Sequence, residues 1–205
     1  VPEGSATGDE EFVSHTHAAE SIARQIGLEA FEGDVTVVGF SLGGQVAVEL
    51  ATRFPNAVTR TVIVSSLLRP WRLAGLYVRA AIAVAPGARS EEVAREQAKQ
   101  QYLADEHFEE YLALSSSMSK RSRGNIIRSN FSFAPATSFL QSDRPVLVMA
   151  GAQEQRRLIA DSEKLSATLP RAQFVLVDDV GHGASLARPG HFNEVIGRFL
   201  AHDLS

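Results

Sequence analysis

No cysteine occurs in the 205 residues, which removes thiolate metal sites, disulfide staples and redox dithiols from consideration while leaving the compartment open. There is no basic excess either. Lys and Arg number 20 against 24 Asp and Glu, a formal charge of −4, so nothing is equipped to hold a phosphate backbone and no nucleic-acid partner is expected. Long apolar runs are also missing: the stretch 73–86 is interrupted by Arg79 and falls short of the roughly 20 residues a membrane span requires. The opening VPEGSATGDEEF is acidic and Gly-rich, the opposite of a secretory signal, so a cytoplasmic chain is the expectation. It starts at Val1 rather than Met, which reads as a cut. What remains, 44% hydrophobic with 8 Pro, suits one globular unit able to bury a core.

Charge is uneven along the chain. Residues 1–34 carry eight acids against Arg24 alone, a pattern expected of a solvated helix face. Phe12, Ala19, Ile22, Ala23 and Ile26 recur at helical spacing and predict an amphipathic helix over Glu11 to Phe31. Val35 to Phe40 (VTVVGF) is a short β-branched run of the kind found in buried parallel strands. Helical spacing then returns with Val46, Ala47, Leu50, Ala51 and Phe54, and Val58 to Val64 predicts a second strand. After residue 142 the alternation resumes: strand Val146 to Ala150, helix Gln155 to Leu169, strand Phe174 to Val177, and a helix carrying Phe192, Val195, Ile196, Phe199 and Leu200. Strands alternating with crossover helices predict an α/β fold, a mostly parallel sheet flanked by helices. The core is expected from 1–68 and 143–205, with 69–142 as a helical cap or lid insertion.

The strongest chemical signal is Gly39-Phe40-Ser41-Leu42-Gly43, a G-x-S-x-G between a predicted strand and a predicted helix. In that setting a sharp turn lifts the serine hydroxyl above the carboxyl edge of the sheet. It also places the Leu42 N–H at a helix N-terminus, where it can face a developing oxyanion. The bland alternative is an N-capping serine. A serine needs a base. Of six histidines, only His182 lies in a Gly-flanked loop directly after a predicted strand. His15 and His17 are expected on a solvated helix face rather than as a metal pair. The acid that orients the base should follow a strand at the same edge. Glu154 does, with Asp161 and Asp179 as alternatives.

The order serine, acid, histidine, with the elbow GFSLGG, the acid after PVLVMAG and the run GHGASLARPGHF, resembles the α/β-hydrolase superfamily from about residue 35 to 202. The resemblance implies Ser41 as nucleophile, Glu154 as acid and His182 as base. A serine at the elbow sets the chain apart from the branches that use Asp there. Full members carry several strands before the elbow, one with an oxyanion loop. Here one helix precedes VTVVGF, so the fold is expected to be N-terminally incomplete. VTVVGF would then stand at an uncovered edge, open to self-association.

The expected function is hydrolysis of a carboxylic ester or related small acyl substrate through an acyl-enzyme, with Phe40 and Trp71 against the substrate. Leu76, Tyr77 and either Phe131 or Phe133 would complete an apolar pocket. Acyl transfer, thioester hydrolysis and perhydrolysis on the same residues are alternatives, as is a catalytically silent binding protein without its oxyanion loop. The cluster Lys120, Arg121, Arg123 and Arg128 is expected to be a solvated helix face. With no P-loop or dinucleotide fingerprint, no cofactor is expected, and no metal.

Overall fold

Four β-branched runs with no interior charge but Arg60 become four parallel strands: β1 (Val35–Phe40), β2 (Val58–Val64), β3 (Val146–Gly151) and β4 (Ala172–Val177), hydrogen-bonded in the order β1-β2-β3-β4. The computed structural model describes residues 11–28, 34–71, 75 and 91–202. Both faces of the central strands β2 and β3 are covered, as the alternation of side chains along a buried parallel strand requires. On one face Ile63, Val146 and Val148 pack with residues of α1 (His15–Gln25), α2 (Leu42–Arg53) and, further along the chain, Leu165 and Leu169. On the other, Val62, Val64, Leu147 and Met149 meet Val195 and Phe199 of the C-terminal helix. These eleven positions are nearly or wholly excluded from water, each contributing about 1.5–3 kcal/mol from burial of its side chain.

Between β2 and β3 run α3 (Glu91–Gln100), a 3₁₀ turn (Asp105–His107), α4 (Phe108–Ser117), α5 (Lys120–Ser132) and α6 (Thr137–Leu140). A small core of Ala94, Ala98 and Phe108 joins α3 to α4. After β3 come α7 (Arg156–Thr168), then β4, α8 (Ala184–Ala187) and α9 (Pro189–His202). Leu76 and Tyr77 lie outside the described residues.

The first helix departs from expectation. It spans His15–Gln25 rather than 11–31, because Ser14 Oγ caps it by accepting from the His17 N–H at 3.1 Å, and Gly27 in a left-handed conformation (φ +64°) follows its end. Its buried face is His15, Ala19 and Ala23, while Ile22 and Ile26 are exposed. His15 is therefore not on a solvated face. Its Nε2 lies 2.6 Å from Gln45 Oε1. The Gln45 amide nitrogen donates to the Leu67 carbonyl (2.6 Å) and to Asn130 (2.9 Å to Oδ1). A carbonyl accepts only, so the Gln45 oxygen must face His15, and His15 must donate from Nε2. Burial pushes the imidazole pKa down, against smaller upward pulls from the Gln45 hydrogen bond and the Glu49 charge. Within the acidic N-terminal stretch, Glu20 pairs with Arg53 and Asp34 with Arg60.

Among the described residues β1 has a neighbour on one side only. Val38, on the same side of the strand as Phe40, is 52% exposed. An apolar parallel strand thus stands at an edge, where unpaired backbone groups are ordinarily covered.

Candidate active site

The turn from β1 into α2 holds Ser41 at φ 54°, ψ −120°, a conformation non-glycine residues avoid and that surrounding structure must impose. Ser41 N–H donates to the Val64 carbonyl at 2.8 Å, and Ser66 Oγ–H donates to the Ser41 carbonyl at 2.7 Å. The elbow is thereby tied to the end of β2. Two glycines permit the close approach: a Cβ at Gly39 would stand 2.1 Å from the Gly43 carbonyl oxygen, and one at Gly44 would stand 2.0 Å from Ser66 Oγ. A Cβ at Gly43 would meet nothing within 4 Å, so the last glycine of the sequence motif is not the sterically demanded one.

Ser41 makes no side-chain cap to α2. Its Oγ lies instead 3.0 Å from His182 Nε2, and His182 Nδ1 lies 3.0 Å from Glu154 Oε1. A carboxylate oxygen can only accept, so Nδ1 carries the proton and Nε2 is free to accept from the serine hydroxyl. The Glu154 side chain is 6% exposed and that of His182 31%. Three loops, after β1, β3 and β4, bring these groups to one edge of the sheet, as parallel strands require. The two alternative acids stand elsewhere. Asp161 is buried beneath Arg69 (2.7 Å) and Arg157 (3.4 Å), and Asp179 projects into solvent beside Arg188 (3.3 Å).

Leu42 is the first residue of α2, so its N–H has no acceptor within the helix and points from the positive end of the dipole. The Phe40 ring packs against His182, centroids 5.0 Å apart, and does not line the adjacent cavity. Trp71 and Phe131 do line it, with their rings 5.4 Å apart. Phe133 belongs instead to the core, 4.9 Å from the His15 ring. The cavity measures about 730 Å³ and is shared by Ser41, His182 and Glu154, a size suited to a small molecule.

One feature of this site gave no signal in the sequence. Tyr102, just past the end of α3, sits at φ 57°, where helix ends ordinarily place glycine. Its Oη accepts from the Gly181 N–H at 2.9 Å. On the other side of His182, a Cβ at Gly183 would stand 2.1 Å from the Gln101 carbonyl oxygen. Residues 101–102 thus clasp the His182 loop at both flanking glycines.

Comparison with known proteins agrees with this architecture. The family model described as "Alpha/beta hydrolase family" matches residues 4–194. A homoserine O-acetyltransferase of Deinococcus radiodurans is 27% identical over 191 residues, covering 81% of this chain and 57% of that protein. The chain therefore spans little more than half the length of this curated relative. Among solved structures, MenH from Staphylococcus aureus superposes with a TM-score of 0.76 at 18% identity, covering 96% of this chain and 78% of that one. A thermophilic esterase from Thermogutta terrifontis gives 0.71 at 21% identity (93% and 73%), and a putative non-heme bromoperoxidase from Mycobacterium tuberculosis gives 0.74 at 20% (96% and 77%). At such identities these structures speak to the fold alone. With a parallel sheet, a strained serine elbow and a family match that spans most of its length, the chain belongs to the alpha/beta hydrolase family.

Proposed function

We propose that this chain carries the catalytic residues of a serine acyl hydrolase acting on a carboxylic ester. The observation that supports this best is the pair of 3.0 Å contacts from Ser41 through His182 to Glu154, built on a backbone conformation unfavourable for serine. In this reading His182 takes the Ser41 proton as the hydroxyl attacks the acyl carbon. Glu154 holds the ring with Nδ1–H inward and stabilises the imidazolium that forms. The Leu42 N–H donates to the developing oxyanion. His182 then protonates the leaving alcohol, and water, activated by the same imidazole, releases the acid. Residues 69–142 serve as the cap, with Trp71 on the substrate. Phe40 props the His182 ring from below, and Tyr102 fixes its loop.

A fluorophosphonate probe and p-nitrophenyl esters of graded chain length test the proposal. The expected result is a covalent adduct on Ser41 and ester turnover, both abolished by Ser41→Ala. A folded chain that stays unlabelled would overturn it. Acyl transfer is a second reading, favoured by the acetyltransferase name of the curated relative. It predicts that an added alcohol or amine acceptor captures the acyl group in preference to water, read as the ratio of acylated acceptor to free acid.

A further inference from the structure

The cavity wall carries charge that the chemistry above does not use. Among the described residues Lys99, Arg69 and Arg157 line it, against one acid, Glu154, whose Oε1 is engaged by His182. This runs counter to the chain as a whole, which is net negative. Among the described residues the two arginines share a single counter-ion. Asp161, with its side chain 2% exposed, takes Arg69 Nη2 on Oδ1 at 2.7 Å and Arg157 Nε on Oδ2 at 3.4 Å. Arg157 is fixed further by donating from Nη2 to the carbonyls of Arg69 (3.3 Å) and Pro70 (2.9 Å). One buried carboxylate neutralises one of the two guanidinium charges and orients both side chains. Arg69 keeps most of its five N–H donors and about half its surface open, at 53% exposed. Lys99 has no ion-pair partner among the described residues.

We propose that this cluster recognises a carboxylate on the substrate, so that the ester cleaved at Ser41 carries a free acid group at the far end of its acyl chain. The inference rests on the serine-hydrolase reading and narrows its substrate class. A guanidinium fork matches a carboxylate in a two-point contact. The Arg69, Arg157 and Asp161 group keeps one positive charge and Lys99 adds a second, which suits an anionic group on the ligand. A preformed and oriented donor set avoids much of the ordering cost that a flexible surface lysine would incur on binding.

Two measurements test this separately from the chemistry at Ser41. In the first, glutarate is titrated calorimetrically into the Ser41→Ala protein. Binding is expected, weakened about tenfold by Arg69→Gln, as for loss of one charged hydrogen bond, and weakened less by Arg69→Lys. It should also weaken in 0.5 M salt. Lys99→Gln, at an exposed position on α3, gives a variant that leaves the Asp161 pair intact should Arg69→Gln fold poorly, and it too should weaken binding. Glutarate binding no tighter than dimethyl glutarate would overturn the proposal. In the second, wild-type kcat/KM is compared for mono-p-nitrophenyl glutarate and its methyl-capped counterpart. A preference of about tenfold for the acid is expected, collapsing toward equality in Arg69→Gln. Labelling of Ser41 with equal use of both esters sinks the carboxylate assignment alone. Glutarate binding without Ser41 labelling sinks the serine reading and leaves the carboxylate site standing.

Discussion

Replacing Tyr102 separates stability from activity in opposite directions. Tyr102 stands at φ 57° after α3, with its own N–H on the Lys99 carbonyl (3.0 Å) and the Leu103 N–H on the Ala98 carbonyl (2.9 Å). The left-handed conformation costs a side-chain-bearing residue about 1–2 kcal/mol relative to glycine. Tyr102→Phe keeps that cost and the ring but deletes the acceptor for the Gly181 N–H. The loss is about 0.5–1.5 kcal/mol, or a Tm lower by about 2–4 °C per kcal/mol for a chain of this size. Tyr102→Gly also loses the hydrogen bond and the ring contact but removes the strain, so its Tm should equal or exceed that of the Phe variant. Activity should rank the other way. His182 must meet Ser41 and Glu154 at once, and misplacement by about 1 Å costs on the order of 100-fold. Tyr102→Phe should therefore lower kcat several-fold and Tyr102→Gly more. The assays are thermal unfolding, kcat on a p-nitrophenyl ester and the rate of Ser41 phosphonylation. Because Tyr102 also lines the cavity, KM is no arbiter. A Tyr102→Gly protein with wild-type kcat would refute the idea that residues 101–102 hold the His182 loop in place.

Three further predictions concern the elbow, the acid and the buried histidine. Gly39→Ala should abolish activity and destabilise the fold, since its Cβ would meet backbone at 2.1 Å, whereas Gly43→Ala, with nothing within 4 Å, should leave the Tm unchanged or raise it. Glu154→Gln should lower kcat by orders of magnitude with KM little changed, while Asp179→Asn, on an exposed acid, should change neither. Burial holds the His15 imidazole below the ordinary histidine pKa of about 6.5, so below that pH the unfolded chain binds the extra proton first and stability falls with acidification. The loss begins as pH drops through the unfolded pKa and levels off below the folded one, at no more than about 1.4 kcal/mol per pH unit from this group. His15→Gln should flatten the dependence of ΔG on pH below 6.5 in urea titrations, and an unchanged slope would contradict the assignment.

The sequence conveyed the parts of this molecule that rest on short-range pattern. β1 and β2 run over the predicted spans, because continuous β-branched runs bounded by Gly or Pro have few other uses. That Ser41, His182 and Glu154 meet at one edge was legible because each follows a strand, and parallel strands deliver their ends to one edge. Less legible was anything decided by a partner distant in the chain. His15 looked like a surface residue until Gln45, 30 residues on, supplied its hydrogen bond. Ile22 and Ile26 looked like core, although the small Ala19 and Ala23 are what let α1 sit close to α2. The cationic cluster could not be foreseen from Lys120, Arg121, Arg123 and Arg128, which are adjacent in sequence. The charges on the cavity come from residues 69, 99 and 157, brought together only by the fold. Tyr102 carries no signal at all, since the left-handed region ordinarily announces itself as Gly or Asn.

The hold of residues 101–102 on the His182 loop has a kinetic consequence. Gly181 and Tyr102 are 79 residues apart in the chain, and His182 and Ser41 are 141 apart. Closing such loops comes late, after strands and helices have formed, because the entropy of ring closure must be met before the contact rewards it. A refolding chain should therefore recover its helical circular dichroism first and its reactivity toward a phosphonate last. The interval between the two signals measures how long the sheet waits for the helices between β2 and β3 to dock.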